Sequence, residues 1–361
     1  MPIDFSEVLR EVVARNASDL HIVAGAPPMI RIRGQLVALE NQASLKPEDT
    51  RELIFGILTG DQRRRLESDW QLDFAYLVPA LARFRVNAYF QRGAVGAAFR
   101  LIPHEIRSID DLGLPTIVHQ LVRKPRGIVL CTGPTGSGKS TSLAAMIDEV
   151  NETRDEHIMT IEDPIEFLHQ HKRCIVNQRE LGSDTHDFAG ALRAALRQDP
   201  DVILVGEMRD LDTIATALTA AETGHLVFAT LHTQDAPQTI DRIIDVFPPG
   251  QQNQIRVQLS VTLQGVVTQQ LLPTLDGSGR TVVCEVLMPS PAVRNLIREG
   301  KIHQIVSVMQ TGGAAGMQTM DSALASLIRQ GKITQQLAES RSSTPDELRR
   351  LLGSESVAAV A

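Results

Sequence analysis

The chain has 361 residues, more than one hydrophobic core usually serves, so two or more domains are expected. Its 36 Lys and Arg against 43 Asp and Glu leave a net charge of −7, which argues against a broad phosphate-backbone-binding surface. The opening Met1-Pro-Ile-Asp-Phe-Ser-Glu7 does not read as a signal peptide, and no apolar run reaches the roughly 18–20 residues that span a bilayer. Cys131, Cys174 and Cys284 show no paired spacing, so reduced thiols in a cytoplasmic protein are expected.

Residues 4–16 read as an amphipathic helix with Phe5, Val8, Leu9, Val12 and Val13 on one side. Strands are expected at 18–23, 29–33 and 35–39, the last two around Gly34. One helix is expected over 47–67, and three more strands at 72–76, 82–90 and 94–102. Residues 1–102 therefore form an α+β domain with a mainly antiparallel sheet. Residues 103–116, with Pro103, Pro115 and no periodicity, read as an interdomain linker. From Gly127 the pattern becomes alternating strands and helices, with strands at 127–132, 158–161, 202–205 and 226–230, the sign of a parallel α/β core over 117–290. Residues 291–361 read as helical, at 291–299, 320–330 and 344–352, with a frayed tail from Gly353.

The densest signal is Gly133-Pro-Thr-Gly-Ser-Gly-Lys-Ser-Thr141, which satisfies G-x-x-x-x-G-K-[ST] between an apolar strand and a helix. Gly133, Pro134, Thr135, Gly136, Ser137, Gly138, Lys139, Ser140 and Thr141 are thus the candidate nucleotide-binding residues. Glycines let backbone N–H groups close on phosphate oxygens, and the helix N-terminus adds partial positive charge. Lys139 would reach the β- and γ-phosphates and Ser140 would ligate Mg²⁺.

Asp199-Pro-Asp-Val-Ile-Leu-Val-Gly-Glu207 is an apolar strand ending in an acid, so Glu207 is a candidate for holding Mg²⁺ or orienting water. Thr160-Ile-Glu-Asp-Pro-Ile-Glu-Phe167 sets Glu162, Asp163 and Glu166 at another strand end, where α/β sheets place ligands, although Asp-Pro also favours a plain turn. His225 and His232 lie seven residues apart across a strand. No further ligand has zinc spacing, so a γ-phosphate sensor or a link to a neighbouring subunit fits them better. Arg83, Arg85 and Arg100 in the first domain read either as solvated strand charges or as residues reaching a neighbour's triphosphate in a ring.

Glycine loop, acidic box, strand-plus-glutamate and histidine box occur here in the order found in the secretion and pilus motor ATPases. Ala17-Ser-Asp-Leu-His21, Arg83-Phe-Arg-Val-Asn87, Val205-Gly-Glu-Met-Arg-Asp210, Ala220-Ala-Glu-Thr-Gly-His225, Asp241-Arg-Ile-Ile-Asp245 and Gly316-Met-Gln-Thr-Met320 narrow the resemblance to the type IV pilus retraction ATPases. Ala292-Val-Arg-Asn-Leu-Ile-Arg-Glu299 resembles that family's retraction signature with Val for Ile. The resemblance runs from about residue 4 to residue 345. It implies a homohexamer of subunits with a PAS-like N-terminal domain and a RecA-like P-loop ATPase domain, using ATP and Mg²⁺. It implies that Glu166 is the catalytic glutamate, Glu207 the Walker B glutamate, His225 and His232 the histidine-box pair, and Arg83, Arg85 and Arg100 the source of trans contacts.

The family's work is pilus retraction and twitching motility, done at the inner face of the cytoplasmic membrane. The implied partners are an inner-membrane platform protein and other pilus motor ATPases, with membrane association only through them. The sequence has no extra N-terminal domain and no tetracysteine zinc site, which favours retraction over assembly. The segments 182–187 and 269–279 depart from the family's usual pattern. A catalytically weak accessory ring is the alternative. A nucleic-acid translocase is disfavoured by the acidic balance and the lack of a basic, aromatic-interleaved groove.

Overall fold

The computed structural model describes residues 4–353 except Arg33, Asn41, Ala80, Pro103, His104 and Ser278. The tail expected to fray lies, from residue 354 on, outside the described residues, as do Pro103 and His104 of the expected linker. The chain divides into two compact units, Met1–Glu105 and Ile106–Ala361.

The first unit runs α1 (Phe5–Ala14), β1 (Asp19–Ile22), β2 (Met29–Ile32), β3 (Gln35–Ala38), α2 (Pro47–Ile57), α3 (Gly60–Asp69), β4 (Gln71–Val78), β5 (Ala82–Gln91) and β6 (Ala94–Ile102). Its sheet is antiparallel throughout, in the order β3-β2-β1-β6-β5-β4. Alternation sends Leu20, Ile30, Phe84, Val86 and Phe99 into a core shared with Val8 and Leu9 of α1, Ile54 of α2 and Leu66 of α3. The opposite face carries charge, because register sets Arg31, Asp19, Arg100 and Arg85 in one row across four strands. The single helix expected over 47–67 is two helices. Thr59 is extended and closes a capping box: its hydroxyl accepts from Gln62 N at 3.3 Å while Gln62 Oε1 accepts from Thr59 N at 2.9 Å.

The second unit runs α4 (Val118–Val122), β7 (Gly127–Thr132), α5 (Lys139–Thr153), β8 (His157–Glu162), β9 (Ile175–Glu180), α6 (Phe188–Ala195), β10 (Val202–Val205), α7 (Leu211–Glu222), β11 (Leu226–Leu231), α8 (Ala236–Asp245), α9 (Pro249–Thr262), β12 (Leu263–Pro273), β13 (Arg280–Leu287), α10 (Pro291–Glu299), α11 (Ile305–Thr311), α12 (Met320–Arg329), α13 (Gln335–Arg341) and α14 (Pro345–Gly353). Its seven-stranded sheet has the order β13-β12-β7-β11-β10-β8-β9, parallel except for β13.

Every residue of β7, β10 and β11 is buried, as a sheet covered on both faces requires. One face packs with Leu192, Ile214, Leu218, Ile240 and Leu259 of α6–α9, continued by Val293 and Ile297 of α10. The other packs with Leu121 of α4 and Leu143, Met146, Ile147 and Val150 of α5. Each such side chain stabilises the unit by about 1.5–3 kcal/mol relative to exposure. Ile109 and Leu114, inside the segment expected to be a linker, are buried in this second layer. Leu272, Val283, Leu324, Ile333 and Leu348 join α12–α14 to the β12–β13 edge in a smaller core. Among the described residues no helix is long and apolar enough to cross a membrane.

Because β7, β8, β10 and β11 are parallel, the loops leaving their C-terminal ends gather at one edge of the sheet. The glycine loop follows β7, the acidic loop follows β8, Glu207 follows β10 and His232 follows β11.

Candidate functional site

The loop between β7 and α5 takes a left-handed backbone at Gly133, Gly136 and Gly138, with φ of +135°, +79° and +88°. At Gly133 no other residue fits: a Cβ would lie 2.2 Å from Gln269 O on β12. Gln269 also steadies the loop from that side, its Nε2 donating to Ser137 O at 2.8 Å. Lys139 opens α5 and is only 9% exposed. Its Nζ donates to Gly133 O at 2.8 Å and Pro134 O at 3.1 Å, so the ammonium lies across the loop. Burial pushes the Lys139 pKa down, while the Glu207 and Glu166 carboxylates, both within electrostatic reach, pull it back up. The Ser137 hydroxyl is buried without a hydrogen-bond partner. Loop amides, an ammonium and an unused hydroxyl form a site suited to phosphate oxygens.

The acidic loop is held in shape by its own carboxylates and by β9. Glu162 ends β8 and accepts from Thr160 Oγ1 at 2.6 Å, from Gln178 Nε2 at 3.1 Å and from the backbone N–H of Glu166. Glu180 Oε2 accepts from Ile165 N at 3.0 Å, and Gln178 Nε2 donates to Phe167 O at 2.9 Å. Glu166 is thereby fixed on an exposed loop with its backbone anchored. Glu162 is the enclosed acid of the pair: burial pushes its carboxyl up to about 7.

Glu207 sits just past β10, where Gly206 N donates to Ile161 O at 2.7 Å and Thr230 Oγ1 donates to Gly206 O at 2.5 Å. Its Oε1 lies 2.5 Å from Arg209 Nε and 3.0 Å from His232 Nε2. Burial raises the Glu207 carboxyl, but Arg209 and His232 outweigh it and hold it below its usual range. Glu207 therefore stays a carboxylate. Among the described residues no three His, Cys, Asp or Glu side chains are grouped to hold a metal alone. A Mg²⁺ ion in this site would rely on the Ser140 hydroxyl, the Glu207 carboxylate, phosphate oxygens and water. Such a hard-oxygen set suits it.

The site thus unites Lys139, Ser140, Glu166, Glu207 and His232 within one chain. It does not include His225. That residue precedes β11, and Gly127, which opens β7, donates its N–H to His225 O at 2.9 Å. The His225 ring faces Ala220 O at 2.9 Å and Thr223 Oγ1 at 3.3 Å. The two histidines stand at opposite ends of one strand, about 23 Å apart at ~3.3 Å per residue. Arg83, Arg85 and Arg100 lie on the charged face of the first unit's sheet. Arg85 is exposed and Arg83 half-buried, and Arg100 Nε donates to Asp19 Oδ1 at 2.9 Å.

The type II/IV secretion system protein family matches residues 2–351. The chain belongs to that family. It is 49% identical over 344 residues to the type IV pilus retraction ATPase PilT of Pseudomonas aeruginosa, covering 95% of this chain and 99% of that one. It is 44% identical over 356 residues to the type IV pilus ATPase PilU of the same organism, covering 98% and 93%. A crystal structure of the pilus retraction motor PilT with bound ADP superposes with a TM-score of 0.91 at 51% identity, over 96% of this chain and 99% of that one.

Beside the secretion-family boxes the structure adds two site residues. Arg209 lies inside the quoted Val205–Asp210 block, but only the fold shows its guanidinium on Glu207. Gln269 is 132 residues from Ser137 and carries no motif, and only the β12–β7 pairing brings them together.

Proposed function

We propose that this chain is the ATP-hydrolysing subunit of a homohexameric motor that retracts type IV pili and so drives twitching motility. The observation that carries this reading is end-to-end similarity to PilT at 49% identity, with the glycine loop, acidic loop, Glu207 and His232 converging at one sheet edge. Similarity to PilU, at 44%, is the basis of a second reading as an accessory pilus ATPase, and the complete set of acidic residues beside Lys139 favours the motor.

In this reading Lys139 and the amides of residues 133–141 bind the triphosphate. Ser140 and Glu207 hold Mg²⁺, which when bound neutralises charge on the phosphate oxygens. Glu166 takes the proton of the attacking water. Glu207, kept ionised by Arg209, orients water or cation, and His232 reports the phosphate state to the loop that carries it. His225 and Arg83, Arg85 and Arg100 would act toward the neighbouring subunit. The ring works in the cytoplasm at the base of the fibre. Residues 1–102 and the ATPase unit, joined near 103–116, change their arrangement with nucleotide state and turn an inner-membrane platform protein.

Steady-state hydrolysis by the purified chain, with its size by light scattering, tests the reading. A hexamer should hydrolyse ATP in a Mg²⁺-dependent way. Lys139→Ala should lose nucleotide binding. Glu166→Ala should keep binding while kcat falls by about 10²–10⁴-fold. A hexamer that binds ATP without turning it over would favour the accessory reading instead.

A further inference from the structure

Among the described residues of the second unit, Glu285 and Asp321 are buried carboxylates that the site above does not use. Glu285 lies on β13 and is 7% exposed. Its Oε1 accepts from Ala236 N at 2.8 Å and its Oε2 from Met320 N at 3.2 Å. Ala236 is the first residue of α8 and Met320 the first residue of α12. Both helices already have their own caps, Asp235 accepting from Gln238 N and Thr319 from Ser322 N. Glu285 is therefore not a routine cap. It is a shared acceptor on which two helix N-termini, each partly positive, converge away from water.

What these helices are attached to gives the contact its meaning. Only three residues separate Ala236 from His232, the histidine on Glu207. Thr233, among them, is tied back to α8 through Thr239, with 2.6 Å between hydroxyls. On the other side, Asp321 follows Met320, and its carboxylate accepts from Ser342 Oγ at 2.5 Å and from the Thr344 hydroxyl, where α14 begins. Across the sheet, register sets Thr132, Thr268 and Glu285 in one row, with 2.7 Å between the two threonine hydroxyls. Thr132 is the residue before the glycine loop.

We propose that Glu285 is a positioning residue that ties the His232 loop to the helical C-terminal region, so that α12–α14 move with the histidine at the nucleotide site. The inference rests on the reading that His232 lies at a nucleotide. Glu285 touches neither nucleotide nor Glu207 and acts only through α8. Burial pushes its carboxyl up to about 7, against the pull of the Ala236 and Met320 N–H donors, and Asp235 and Asp321 raise it further. Such a buried acid is costly to keep, and a simple cap would not need one. Glu285→Gln is nearly isosteric but turns one accepting oxygen into an NH₂ donor aimed at a backbone N–H, which should free one helix from the other.

The test is kcat and KM for ATP of the full chain as wild type, Glu285→Gln, His232→Ala and the double variant. The inference expects kcat of Glu285→Gln to fall about tenfold with KM unchanged, and the double variant to be no slower than His232→Ala alone. An unchanged kcat, or two losses that multiply, overturns it. A wild-type chain that does not hydrolyse ATP would instead overturn the proposed function. In that case, or if Glu285→Gln fails to fold, hydrogen exchange of the wild-type chain with and without Mg·ADP decides. Protection arising together at 232–240 and 319–324 supports the tie, and protection confined to 232–240 overturns it.

Discussion

Glu207 keeps its charge because Arg209 and His232 press against the same oxygen of a half-buried carboxyl. Arg209 is largely exposed, so its coupling to Glu207 is worth at most about 0.5–1 kcal/mol. Arg209→Ala should slow hydrolysis by about two- to fivefold and move the acid limb of the pH–kcat profile to higher pH, because only His232 then offsets the burial that raises the carboxyl. A limb that does not move would mean that Glu207 is not the group titrating there. Glu162 behaves oppositely. Its folded-state value of about 7 exceeds the usual 4.5, so the stability it contributes is complete below about pH 4.5 and is lost as pH rises through about 7. Glu162→Gln cannot ionise, and its melting temperature should therefore gain on the wild type between about pH 4.5 and 7 and hold that gain above about pH 7. Lys139, Ser140, Glu166, Glu207 and His232 could all be picked from the sequence, because each belongs to a local pattern at a strand end. Arg209, Gln269 and Glu285 could not be, because what marks them is a partner that only tertiary structure supplies. His225 and His232 were legible as lying across a strand, and they stand at the two ends of β11, with His232 on Glu207.

At the scale of elements, α10 carries the segment resembling the retraction signature, and its side chains divide into two kinds. Val293 and Ile297 are fully buried, and Arg294 spans the end of α9. The Arg294 guanidinium donates to Ser260 O, to Val261 O at 2.8 Å and to Leu263 O at 3.3 Å, and its Nε donates to Pro289 O at 3.1 Å. The Ser260 and Val261 carbonyls belong to the last turn of α9, whose carbonyls have no partners within their own helix. Ile297→Ala should cost about 2–5 kcal/mol and Arg294→Ala about 1.5–3 kcal/mol in denaturant unfolding, so lost motility in either would report stability first. Glu299 is exposed and pairs with Lys301 at 2.8 Å. Glu299→Ala should leave the melting temperature unchanged and still reduce motility if α10 couples hydrolysis to the fibre. Intact motility would assign α10 to packing alone.

Strong periodicity made α1, β5, β6, β7, α5 and α10 legible in advance. The break at Thr59 was hidden because Leu58 and Leu66 continue an apolar pattern through it, and a capping box decided the matter locally. The β12–β13 hairpin was missed because Leu263–Pro273 mixes glutamine into a buried strand, where Gln269 serves the glycine loop rather than the core.

For the whole molecule, the domain order was readable because alternation in the first hundred residues gives way to strand–helix alternation after Gly127. The segment 103–116 was harder to read: its Pro-rich, aperiodic sequence resembles a linker, yet Ile109 and Leu114 belong to the second unit's core. A retraction motor must do more than hydrolyse ATP; it must empty the cell surface of fibres. The most direct measurement is live imaging of labelled pili in the protein's own host, with the chromosomal copy carrying Lys139→Ala. The account predicts that fibres still assemble, fail to shorten, and accumulate while twitching stops. Fibres that shorten at the normal rate in that strain would contradict it.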